Sequence, residues 1–228
     1  MGSSSLAPRQ LVLELDHAVS FAREDFLSGP SNAAALTLIE RWPDWPDRIM
    51  ALAGPQGSGK SHLAAIWAQA AGARVLAAKL LQETGLPAAL ATGALVVEDL
   101  EPAGLDERAL FHLLNLAQQE QAWLLFTSDT APVRWAIALR DLASRLRTLP
   151  VVTLAAPDDA LLRAVLVKLF ADRQLAVDES LVGYLANRIE RSFAAARAAV
   201  DRIDREALRQ KRPVTRTLAA ELFRDHVA

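Results

Sequence analysis

The sequence predicts an α/β protein, a parallel sheet covered by helices and followed by a small all-helical subdomain, and three observations carry that class. Short apolar runs alternate with amphipathic segments through the middle of the chain, the pattern of strands joined by crossover helices. The first run delivers a glycine-rich phosphate loop, Gly54-Pro55-Gln56-Gly57-Ser58-Gly59-Lys60-Ser61, directly into a helical segment, the context that loop needs. From Pro157 onward the apolar runs stop and helical periodicity alone remains.

The elements follow in order. Ile49 to Ala53, Arg74 to Ala77, Ala94 to Val97, Trp123 to Thr127 and Val151 to Leu154 are the strands, because strands buried on both faces of a parallel sheet read as unbroken apolar runs. The helix after the loop places Leu63, Ile66, Trp67 and Ala70 on one face, a spacing of three to four residues that buries a stripe. In the C-terminal part Asp158 to Arg173, Asp178 to Ile189, Phe193 to Arg209 and Thr215 to His226 read as helices. Asp158, Asp178 and Thr215 are their N-caps, since a short polar side chain there accepts an orphan backbone N–H. The expected division is an extended segment over 1–19, an α/β nucleotide-binding subdomain over 20–155 and a helical subdomain over 156–228.

Composition narrows the function. A chain of 228 residues that is 52% hydrophobic buries a sizeable core. Its 25 basic and 27 acidic residues leave a net charge of −2, which gives no global drive toward nucleic acid. No cysteine is present, so thiol catalysis, disulfides and zinc–thiolate sites are excluded. His17, His62, His112 and His226 are scattered without metal-ligand spacing,. No run is long enough to span a bilayer and no leader pattern opens the chain,. The expectation is a cytoplasmic protein with no membrane contact.

The phosphate loop is the most specific chemistry in the chain. Its glycines let backbone N–H groups curl around an anion, Lys60 reaches the β and γ oxygens, and the Ser61 hydroxyl can ligate Mg²⁺ at the positive end of the following helix. Gly54 to His62 are therefore the residues expected to hold ADP or ATP. Ala94-Leu95-Val96-Val97-Glu98-Asp99 is an apolar strand ending in two carboxylates, suited to a metal and an attacking water, although strands also end in acids merely on re-entering solvent. Leu124-Leu125-Phe126-Thr127-Ser128-Asp129 is a second buried strand with a polar end, and Asp141-Leu142-Ala143-Ser144-Arg145-Leu146 follows it.

Taken in series, phosphate loop, acidic strand end, polar strand end, Ser-Arg-Leu and helical lid resemble the AAA+ module of the bacterial initiator DnaA, and most of all the small Hda-like, DnaA-related regulators of replication initiation. The resemblance runs from Phe21 and Gly29-Pro30-Ser31-Asn32 to the final helix. It implies an AAA+ P-loop NTPase core followed by a helical lid. It places Asn32 beside the base, Lys60 and Ser61 on the phosphates and Mg²⁺, and Glu98 and Asp99 as the Walker B pair, Glu98 on the metal and Asp99 in the catalytic slot. It also makes Asp129 sensor I and Arg145 an arginine finger that reaches a neighbouring subunit's γ-phosphate. Two departures bear on activity. The usual Asp-Glu order of the acidic pair is reversed here, and Ala194 stands at the sensor II arginine position, with Arg191 and Arg197 three residues to either side,.

No helix-turn-helix is expected after the lid, so no direct sequence-specific DNA binding follows. Upstream, Gln10-Leu11-Val12-Leu13-Glu14-Leu15 is similar to peptides that dock on the β sliding clamp of DNA polymerase III, with Gln10, Leu11, Leu13 and Leu15 making the contact; by pattern alone it also reads as an alternating edge strand. The resemblance implies a clamp-bound regulator that promotes hydrolysis of the ATP held by DnaA, with weak turnover of its own, and a homo-oligomer is compatible with it. A nucleotide-dependent adaptor without catalytic role and a self-contained ATPase or small-molecule kinase are the alternatives.

Overall fold

The structure, a computed structural model, describes residues 21–223; the candidate docking residues Gln10, Leu11, Leu13 and Leu15 lie outside them. After a single turn at Arg23–Asp25 the chain forms α1 (Ala33–Glu40), β1 (Ile49–Ala53), α2 (Lys60–Ala71), β2 (Arg74–Ala77), α3 (Leu86–Ala89), β3 (Ala94–Glu98), α4 (Glu107–Gln119), β4 (Trp123–Ser128), α5 (Arg140–Thr148) and β5 (Val151–Thr153). Four helices follow: α6 (Asp159–Asp172), α7 (Glu179–Ala186), α8 (Phe193–Gln210) and α9 (Arg216–Leu222). All five strands start where the apolar runs start. β3 and β4 continue one residue further than their runs, to Glu98 and Ser128, and β5 stops at Thr153, one short.

The strands pair in parallel in the order β2-β3-β4-β1-β5. Because side chains alternate across a strand, each run divides between two cores. Leu95 and Val97 of β3 face the α3, α4 and α5 side with Leu110, Leu113, Leu142 and Leu146. Val96, with Met50 and Leu52 of β1, faces the α1 and α2 side with Leu36, Leu63 and Trp67. A third core, Leu162, Leu166, Phe170, Leu185, Val200 and Ile203, lies among the C-terminal helices.

The helix starts follow local chemistry. Asp158, Asp178 and Thr215 each accept the N–H three residues on, from Leu161, Leu181 and Leu218, and Ser192 does the same for Ala195 at the head of α8. Each such bond satisfies one of the donors a helix leaves open. α7 stops at Ala186 rather than Ile189, and the Arg188 and Ile189 amides turn back onto the Leu185 carbonyl.

Candidate functional site

β1 leads into a loop that only glycine can thread. The Gly54 amide donates to the Ser128 carbonyl, and a Cβ on Gly54 would stand 2.5 Å from the Leu154 carbonyl oxygen. Gly57 (φ 70°) and Gly59 (φ 102°) occupy the left-handed region, which side chains avoid, and Gly59 starts α2. Lys60 is only 6% exposed. Its ammonium donates to the carbonyls of Gly54 (2.6 Å) and Pro55 (3.1 Å) and to Asp129 Oδ1 (2.9 Å). A buried ammonium needs such partners, because desolvating an unpaired charge costs several kcal/mol. The Ser58 hydroxyl, by contrast, is buried without a hydrogen-bond partner among the described residues.

The acidic strand ends divide. Glu98 closes β3 opposite Ala77 and does not line the cavity beside the loop, whereas Asp99 and Asp129 do. The difference lies in the backbone. Asp99 adopts a left-handed conformation (φ 55°) in which its N–H donates to the buried Thr127 hydroxyl at 3.0 Å, and Leu100 N–H donates to the Thr127 carbonyl. Asp129 is fixed from the other side, its N–H donating to Glu101 Oε1.

The cavity encloses about 760 Å³, within the range of small-ligand sites. Three walls complete it. The first is the segment before α1, with Phe21, Asp25 and Phe26; the second is α6 with Val165, Lys168 and Leu169 and its C-cap Arg173; the third is the head of α8, with Phe193, Ala194 and Arg197. Lys168 bridges two walls through ion pairs to Asp25 (2.7 Å) and Asp172 (3.0 Å), and the hydrogen bond to Asp25 is the main cause that raises its pKa. Arg173 is paired with Asp201 and Asp204. Arg197 forms no ion pair among the described residues, which leaves a cation at the cavity wall without a carboxylate. His62, next to Ser61, packs edge-on against Phe21 and Phe26 at 5.4 and 5.2 Å, and its Nε2 lies 2.9 Å from the Ala22 carbonyl, to which the neutral ring donates. Burial, then the nearby Arg197 charge, pulls its pKa below the ordinary imidazole value, while the Ala22 bond opposes both.

The lid meets the phosphate loop directly. The Phe193 N–H donates to the Gly57 carbonyl at 2.8 Å. A Cβ on Gly57 would stand 2.7 Å from Ser192 Cβ, and one on Gly59 would stand 3.3 Å from both the Phe26 and Phe193 rings.

Of the remaining expected site residues, Gln56, Gly57, Gly59, Lys60, Ser61 and His62 line the cavity, while Gly54, Pro55 and Ser58 form the buried or outer turn of the loop. Asn32 is buried outside the cavity lining, where its side chain accepts from Gly29 N–H and donates to the Leu27 carbonyl, shaping the wall rather than forming it. Of the two arginines that flank Ala194, Arg191 does not line the cavity. It precedes the Ser192 cap, lies outside the helix and is paired with Asp159. Arg197, one turn into α8, is the one that reaches the cavity. Arg145 sits elsewhere, half-buried on α5 with its guanidinium 5.3 Å over the Phe111 ring. Sequence reasoning missed Phe26 before α1, and it missed Val165, Lys168 and Leu169 on α6 and Arg173 at its C-cap, whose spacing looks like any amphipathic stripe.

The site has the parts to bind a polyphosphate at Lys60 and an aromatic base at its apolar end. For Mg²⁺, the Ser61 hydroxyl and the Asp99 carboxylate share the cavity. Among the described residues no group of three or more His, Cys, Asp or Glu could hold a metal ion. Among the same residues no helix is long and apolar enough to cross a membrane.

No family model matches the chain. Solved structures do. Domain III of the Thermotoga maritima replication initiation protein DnaA matches at a TM-score of 0.72 and 18% identity, over 91% of this chain and 97% of that one. A Thermotoga maritima RuvB variant matches at 0.68 and 16%, over 89% and 70%. DnaA from Aquifex aeolicus bound to AMPPCP matches at 0.61 and 20%, over 82% and 67%. The chain thus shares its fold with these DnaA and RuvB structures.

Proposed function

We propose that the chain is a DnaA-related AAA+ regulator that holds an adenine nucleotide in its cavity and presents Arg145 to ATP bound by the initiator DnaA. The observation that carries this reading is the separation of the two functions. Lys60, Ser61 and Arg197 converge on the chain's own cavity, whereas Arg145 lies on α5 away from it, steadied on Phe111. An arginine so placed serves a site on another molecule. Likeness to DnaA structures, among them one bound to AMPPCP, supports the ligand class.

In this reading the loop amides and Lys60 bind the phosphates, releasing Lys60 from Asp129 as phosphate oxygens take its place, and Phe21, Phe26 and Leu169 cover the base. Mg²⁺ would be held by Ser61 and, from its place in the cavity, by Asp99 rather than Glu98; bound, it neutralises phosphate charge. The nucleotide then acts chiefly as a structural ligand between core and lid. In the complex, the Arg145 guanidinium stabilises charge on the γ-phosphoryl group as it passes from ATP to water. Gln10, Leu11, Leu13 and Leu15 dock the regulator on the β sliding clamp, bringing it to DnaA on DNA.

The test is single-turnover hydrolysis of DnaA-bound ATP on clamp-loaded DNA. Arg145→Ala should lose about 10³-fold of the stimulation, the lower end of arginine-finger effects. Arg145→Lys should recover little, because lysine lacks the planar donor fork. Equal rates for all three proteins would remove Arg145 as the finger, and no stimulation by the unaltered chain would reject the regulatory role. A second reading, turnover of the chain's own nucleotide, draws on Asp99 lying in the cavity. A brisk, Lys60-dependent ATPase without partners would favour it.

A further inference from the structure

We infer that the main-chain N–H of Phe193 is a positioning group for the phosphate loop, so that the lid and the nucleotide's phosphates are set together through one backbone hydrogen bond. The inference rests on the nucleotide reading of the cavity. Phe193 is the first residue of the 18-residue helix α8, and a helix leaves its first amides without intrahelical partners. One is satisfied by the Ser192 side chain, which accepts from Ala195. The Phe193 amide is satisfied by the Gly57 carbonyl at 2.8 Å, a group of the loop itself.

The bond sits where the loop has least freedom. Gly57 is in the left-handed region and meets Ser192 so closely that no Cβ fits between them. Next along, the Phe26 and Phe193 rings flank Gly59. The loop's shape is therefore set from outside the core, by α8, as well as from β1. Ala194, which lines the cavity, has a methyl group that can make no polar contact; the Phe193 amide, one residue earlier, touches the loop directly. Coupling of this kind is reciprocal. Whatever α8 contributes to the loop's phosphate-binding shape, bound phosphate returns as tighter docking of α8.

Proline separates the amide from everything else at this position. Ser192 has φ −143° and ψ 150°, the extended conformation proline imposes on its predecessor, and a first helical position accepts proline because its N–H has no intrahelical role. Phe193→Pro thus removes the N–H without opposing α8, and Phe193→Ala removes the ring while keeping the N–H. Titrating the full chain with ADP carrying a ribose-linked fluorophore, Phe193→Pro should bind about fivefold more weakly than Phe193→Ala, the effect of one net hydrogen bond. The probe should also dissociate faster from it. Equal affinities for the two variants would overturn the inference while leaving nucleotide binding intact. No binding by the unaltered chain would overturn the reading beneath it and the inference together. Should Phe193→Pro fail to fold, amide hydrogen exchange on the unaltered chain decides. The Phe193 amide should exchange more slowly with ADP than without, and an unchanged or faster rate refutes the coupling.

Discussion

At the leading ends of β1 and β4 the sheet closes on Trp42, Trp45, Trp67 and Trp123, whereas past the trailing ends of β1, β3 and β4 it opens on Lys60, Asp99 and Asp129. In the aromatic region Trp45 stacks on Trp67 at 5.0 Å, Trp123 meets Trp42 and Trp45 edge-on, and Arg48 lies over the Trp123 ring. Apolar area does the holding there. The buried indole N–H groups of Trp42 and Trp67 find no hydrogen-bond partner among the described residues. At the polar end a buried cation keeps three partners, and Asp99 is held in a left-handed turn by a neighbouring hydroxyl. One end of the strands thus spends its area on stability, and the other keeps strained backbone and charge in reach of a ligand, as functional sites do.

The contrast breaks most visibly at its two extremes. Trp67→Ala should lower unfolding free energy by about 3–5 kcal/mol, the range for a deleted core aromatic. Nucleotide affinity of the folded fraction should stay the same; denaturant unfolding and titration on one sample measure both. Lys60→Ala should do the reverse, weakening ADP binding about 10- to 100-fold through lost charge-assisted hydrogen bonds while shifting the melting temperature far less than Trp67→Ala. A Lys60→Ala chain that binds normally, or one that unfolds as Trp67→Ala does, would show that the two ends are not separate.

The smallest effect is a pH dependence at the polar end. His62 is held below the ordinary imidazole value by burial first and by Arg197 in addition. Between that lowered value and about 6.5, the unfolded chain carries more protons at this site than the folded chain. Stability should therefore rise with pH across that window and level off below it, where both states carry the proton. His62→Gln should flatten this part of the profile in denaturant unfolding at pH 5.5 to 7.5; an unchanged slope would place the dependence elsewhere.

The two ends also differed in how far they could be read from sequence. The central strands β1, β3 and β4 were visible because strands buried on both faces read as unbroken apolar runs, and the loop was visible because Gly54, Gly57, Gly59 and Lys60 occupy neighbouring positions whose conformations fix their identities. The far wall was not. Lys168, Leu169, Arg173 and Arg197 come from helices more than 100 residues downstream, and a stripe that faces a cavity has the same period as one that faces a core. Arg191 and Arg197 looked equivalent because spacing alone cannot tell which of two residues lies inside a helix; the Ser192 cap decides it. Asn32 was assigned to the ligand on resemblance, and its hydrogen bonds to Gly29 and Leu27 belong to the turn that carries Phe26 toward the cavity.

Thr127 is not among the residues that line the cavity beside the loop and carries no charge, yet its hydroxyl and carbonyl receive the amides of Asp99 and Leu100, just past the end of the neighbouring strand. The direction in which Asp99 points is therefore encoded at a second locus, 28 residues away. A substitution that removes the hydroxyl at 127 leaves the Asp99 amide without this acceptor, and so re-aims a carboxylate in the cavity without touching it.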